Sequence, residues 1–161
     1  MASMGEAQAI LGAWREHLVS DQQVIEWADR VIEVTRAEDI PEWLLDLSTF
    51  GPARCAARPS SDFIEIGSLP FSRSFALRAH LLNPNRTVQV ARFVEWLSSA
   101  VIGEDLGDPL VRFGYEVEHL YSDMNGLDMA CELVRKELPR VLELVAPVSN
   151  TLLELARENV E

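Results

Sequence analysis

Apolar residues return at helical spacing along almost the whole of this chain, and that periodicity restricts it to folds built from amphipathic helices. Val24, Ile25, Ala28, Val31 and Ile32 form one stripe of a stretch that opens with Ser20-Asp21-Gln22-Gln23. That opening has the form of a capping box, in which the Ser20 hydroxyl accepts from the Gln23 amide while the Gln23 side chain reaches back. A helix is expected over about 21–36. Ile10, Leu11, Trp14 and Leu18 repeat the spacing over about 5–18, so a helical hairpin opens the chain. Pro41 suits a first helical position and starts a short helix through Leu47, which Gly51-Pro52 is expected to stop.

Residues 51–68 are the least regular stretch, with Gly51, Pro52, Pro59, Ser60, Ser61 and Gly67. Phe63-Ile64-Glu65-Ile66 is the one plausible strand, and a single strand makes no sheet, so the segment reads as a long connection with an extended piece. A helix over about 69–82 ends at Asn83-Pro84, and another over about 87–101 carries Val90, Phe93, Val94, Leu97 and Val101 and is closed by Gly103. Asp108-Pro109 starts the next, which keeps Leu110, Phe113, Gly114, Val117, Leu120 and Tyr121 on one face and ends at Asn125-Gly126. Helical spacing resumes over about 127–158, where Pro139 and Pro147 are each expected to kink or break it. The reading is one all-α domain over residues 1–161, a bundle of seven or eight helices with an irregular segment at about 51–68. Met1-Ala2-Ser3 ahead of Met4 reads as an expression remnant.

Composition narrows the function classes. With 48% hydrophobic and 25% charged residues, 8 Gly and 8 Pro, the chain is neither disordered nor fibrous. Two cysteines, Cys55 and Cys131, exclude a disulfide scaffold and a four-cysteine zinc site. No apolar run approaches the roughly 18 residues of a spanning helix and no basic-then-apolar leader opens the chain, so the expected location is the cytoplasm. The formal net charge is −12, which makes nucleic acid and anionic membrane poor partners. The acidity is regional: residues 1–50 hold ten acids and three bases, residues 51–100 three and six, and residues 101–161 thirteen and five.

Catalytic signatures are sparse. Glu116-Val117-Glu118-His119 has the Glu-x-x-His form used by di-iron helical bundles, but that architecture needs two such motifs and two further glutamates. Arg112, Glu116, His119 and Asp123 lie opposite the apolar stripe and read as a solvated face, with a single metal at Glu116, His119 and Asp123 as the alternative. Asp123-Met124-Asn125-Gly126 has its glycine fourth and Val134 in the twelfth place, which does not fit a calcium loop. Cys131 falls on a core stripe, whereas Cys55 lies beside Arg54 and Arg58, whose charge would favour a thiolate if they approached it. Phosphate-loop, dinucleotide and nucleophile-elbow motifs are missing, and neither an enzyme activity nor a cofactor is expected.

What remains is surface. Gln22, Glu26, Asp29 and Glu33 form an acidic stripe on the second helix, and Glu38, Asp39, Glu42 and Asp46 continue it past the following turn. Such a run is ordinarily a solvated face; the sharper reading is a docking surface for a basic protein. Trp43, flanked by acids, is either the anchor of that contact or a core residue with Leu44-Leu45.

The segments Glu26-Trp27-Ala28-Asp29-Arg30-Val31-Ile32 and Ile40-Pro41-Glu42-Trp43-Leu44-Leu45-Asp46-Leu47-Ser48 resemble small acidic bacterial proteins of the immunity type. The resemblance implies a protein that binds and neutralises a cognate toxin, and it carries no site residue with it. The expected function is therefore an acidic helical protein-binding module, with an immunity or inhibitor role against a basic toxin or enzyme as its specific form. The alternatives are the metal-dependent enzyme and a homo-oligomeric structural protein joined by its apolar stripes.

Overall fold

The apolar stripes become helices throughout the computed structural model, which describes residues 3–157. In chain order they are α1 (Met4–Arg15), α2 (Asp21–Val34), α3 (Glu42–Ala57), α4 (Phe71–Leu81), α5 (Thr87–Ala100), α6 (Pro109–Glu118), α7 (Leu127–Leu144) and α8 (Asn150–Arg157). A 3-10 turn at Ala37–Asp39 precedes α3, and a π turn at His119–Asp123 follows α6. Among the described residues the fold is all-α, with no strand. The helices gather into two compact units: one formed by the described residues up to Leu69 with those from Ser149 onward, the other by Pro70–Val148.

The first unit is tied together by Gln23. Its carbonyl accepts from the Ser20 amide at 2.8 Å and the Ser20 hydroxyl accepts from the Gln23 amide at 3.2 Å, completing the capping box. Its amide nitrogen donates to the Leu155 carbonyl at 2.7 Å, which joins α8 to the start of α2 inside the core. Around it α2 buries Val24, Trp27 and Ala28 against Trp43, Leu44 and Leu47 of α3. Ser3 is the N-cap of α1, accepting from the Glu6 amide at 3.1 Å; Met1 and Ala2 lie outside the described residues.

Gly51-Pro52 does not stop α3 as expected. Gly51 takes φ 76° and ψ 166°, which redirects the chain, and helix resumes through Ala57. Glycine tolerates the left-handed φ and proline has the φ of a first helical turn, so one helical piece abuts the next without a loop. The irregular segment shrinks to residues 58–70, and side chains hold it at several points. The Asp62 carboxylate accepts from the Trp43 amide at 3.3 Å, capping α3 where Pro41 has no side-chain acceptor. The Arg15 guanidinium donates to the Ile66 carbonyl at 2.6 Å, and Ile64 is buried.

In the second unit Phe75 is sealed among aromatic rings, with Phe93 edge-on at 5.6 Å and Phe113 at 6.3 Å between centroids. Gly114 brings α6 close to α5, for a Cβ there would lie 2.7 Å from Val101 Cγ2. Helix α7 runs through Pro139, whereas Pro147 falls in the break before α8. An exposed proline near the end of an 18-residue helix forfeits one backbone bond that its neighbours' packing offsets.

Two substitutions separate these cores. Gln23→Leu keeps the side-chain bulk but strands the Leu155 carbonyl and the Ser20 amide, so a loss of about 2 kcal/mol is expected in urea unfolding. Phe75→Ala is expected to cost about 3–5 kcal/mol. A Gln23→Leu protein of unchanged stability would show that the buried amide is dispensable.

Candidate protein-docking face

Helix α2 turns Val24, Trp27 and Ala28 inward, which leaves Gln22, Glu26, Asp29 and Glu33 exposed on its other side. The Gln22 amide donates to Glu26 at 2.9 Å. Asp29 accepts from the Ser48 hydroxyl, so one member of the stripe also links α2 to α3. Beyond α2 the Thr35 hydroxyl bonds back to the Val31 carbonyl at 2.6 Å and the chain leaves the helix. The 3-10 turn then exposes Glu38 and Asp39, and Glu42 is exposed in the first turn of α3, where the helix dipole favours an acid.

Two of the residues singled out from sequence sit differently. Trp43 is 7% exposed and packs into the core, so it does not project as an anchor. Asp46 is half-buried and lines a separate hollow of about 230 Å³ with Phe50, Arg54, Cys55 and Arg58. The Trp43 side chain faces inward because α3 must bury the stripe of Trp43, Leu44 and Leu47 against α2.

Sequence reasoning missed a recess of about 270 Å³ beside these acids, lined by Met4, Val31, Thr35, Asp39, Pro41, Trp43 and Leu44. It draws on α1, the end of α2, the turn and the start of α3, so no local pattern announces it. A wider hollow of about 620 Å³ lies between Trp14, Arg15 and residues 59–66, with Phe63, Ile64 and Ile66 in its wall.

Formal charge divides unevenly between the units. The described residues of the first hold thirteen acids and six bases, those of the second eleven and eight. The second unit's ion pairs Arg135 to Glu132 and Arg140 to Glu137 are local to α7.

The fold also places the residues of the catalytic alternatives. His119 pairs with Asp123 at 2.8 Å in the exposed π turn, and among the described residues no three His, Cys, Asp or Glu side chains come together as metal ligands. Arg112, Glu116, His119 and Asp123 are all exposed, as expected of a solvated face, and the His119–Asp123 pair is local to the π turn. Cys55 and Cys131 are both buried free thiols. Burial pushes the Cys55 thiol up from its usual range, Asp46 adds to this, and Arg54 opposes it. The Arg54 guanidinium instead lies 4.7 Å from the Phe50 ring centroid. Burial likewise raises Cys131, against the opposing charge of Arg135. Among the described residues no helix is long and apolar enough to cross a membrane. No family model, curated protein or solved structure matches the chain.

Since the native fold holds both thiols neutral, each contributes stability that is present below the unfolded thiol pKa of about 8.5 and lost as pH rises through the higher folded value. At pH 8 both are expected to react with Ellman's reagent far more slowly in the native protein than after unfolding in urea. A rapid burst of one equivalent in the native protein would reveal an accessible thiolate.

Proposed function

We propose that this chain is an acidic helical protein-binding module that docks a basic protein through the face of α2, the 3-10 turn and the start of α3. The observation that carries the reading is the concentration of exposed acids Glu26, Asp29, Glu33, Glu38, Asp39 and Glu42 on the more acidic unit. Between Asp21 and Asp46 there are eight acids and two arginines, Arg30 and Arg36. Such a face accelerates association with a cationic surface and rejects anionic ones. The specific form we favour is an immunity or inhibitor protein that covers the working surface of a basic toxin or enzyme. Its support is the resemblance of residues 26–32 and 40–48 to immunity-type proteins, together with the charge of this face.

Glu26→Lys with Glu33→Lys is expected to slow association with a purified basic partner by about tenfold or more at low salt. The melting temperature should stay nearly unchanged, because both side chains are exposed. Added salt should slow the unmodified protein and affect the reversed one less. Association insensitive to both would place the interface elsewhere. For the inhibitor role, co-expression of the chain with a toxic neighbouring gene product should restore growth, and the double reversal should weaken that rescue.

A further inference from the structure

We propose that the recess between Met4, Val31, Pro41 and Trp43 receives one apolar side chain from the basic partner, held between lysines or arginines that meet the acids around it. This rests on the acidic-face reading above and adds where on that face the contact is anchored and what the partner must present.

Size argues for a single side chain. About 270 Å³ falls below the roughly 300–1,000 Å³ of sites that enclose whole small molecules. The walls are mostly apolar, from Met4, Val31, Pro41, Trp43 and Leu44, and the Thr35 hydroxyl is already bonded to the Val31 carbonyl. The Trp43 indole N–H has no hydrogen-bond partner among the described residues, although the residue is over nine-tenths buried. Since no fully enclosed side-chain polar atom among the described residues is unpartnered, this donor is not sealed from solvent. The wall residue Met4 is itself 53% exposed, so apolar surface reaches the mouth of the recess.

Charge selects the occupant. Asp39 belongs to the wall, and its chain neighbours Glu38 and Glu42 are exposed, against one base on the same turn, Arg36. A second copy of this chain would bring another net charge of −12 to an acidic rim, so it is a poor occupant. A cationic segment with a leucine-sized centre satisfies both the rim and the floor, which is the arrangement of a buried anchor inside a polar ring.

The test uses the full chain labelled with nitrogen-15 and two synthetic peptides of lysine and arginine, identical except for a central leucine or serine. Trp43→Phe assigns the Trp43 indole resonance. The leucine peptide is expected to shift that resonance saturably and to bind about tenfold or more tightly than the serine peptide, as burial of one apolar side chain requires. Glu38→Lys with Glu42→Lys should weaken both peptides. Equal binding of the two peptides with an unmoved Trp43 resonance would overturn the recess and leave the acidic face standing. Absence of binding by either peptide would overturn both. Leucine-peptide binding that survives the double reversal unchanged would overturn the charge selection.

Discussion

The buried amide of Gln23 is the contact on which the first unit turns. One side chain completes the start of α2 and holds the Leu155 carbonyl of α8, more than 130 residues away in sequence, at 2.7 Å. A carbonyl in the core without that donor would keep its full desolvation penalty, about 1–3 kcal/mol, so the bond has a geometric consequence beyond its modest net strength. It fixes where α8 ends relative to α2 and so lets two distant stretches of chain form one unit. The second unit, Pro70–Val148, lies between those stretches in sequence and carries its own core around Phe75.

With α2 fixed at its start, its remaining surface has little freedom. The inward stripe of Val24, Trp27 and Ala28 must meet α3, and the Asp29 to Ser48 bond and the Asp62 cap on the Trp43 amide hold α3 in return. Everything that does not fit this contact is turned outward, and in this stretch that remainder is largely glutamate and aspartate. The acidic face is therefore a by-product of packing in its position, though not in its composition. Lysine or glutamine would satisfy the same exposed sites, so packing does not account for the excess of acids, and it is on that excess that the proposed docking role rests.

Legibility in the sequence followed the range of each interaction. The Ser20 and Gln23 box, the Asp108-Pro109 start and the apolar stripes are local, and the corresponding helices lie within a few residues of their expected bounds. Gly51-Pro52 misled because the same pair that ends one helix can begin the next, and only contact with Ile25, 3.2 Å from where a Cβ of residue 51 would stand, shows how tightly α2 receives the junction. The π turn at His119–Asp123 is not signalled by the apolar spacing, yet Arg112, Glu116, His119 and Asp123 stay exposed as their place opposite the apolar stripe indicates. Trp43 was ambiguous by composition, being flanked by acids and followed by leucines; burial against α2 decided it. The recess needs Met4 from one end of the first unit and Trp43 from another, a juxtaposition that no window of sequence contains.

These constraints bear on how such a face would bind. Association loses translational and rotational freedom and orders side chains at about 0.5–1.5 kcal/mol for each mobile one immobilised. On this face the backbone is already fixed by helix packing, Trp43 is held in place, and Asp29 is already engaged with Ser48. Ordering falls mainly on the outer glutamates, whose interactions at a wet rim are individually weak. Under the proposed docking role the rim would govern how fast and which partners arrive, while residence time would depend on what enters the apolar recess. A partner matched in charge alone would bind fast and leave fast; one that also fills the recess would stay.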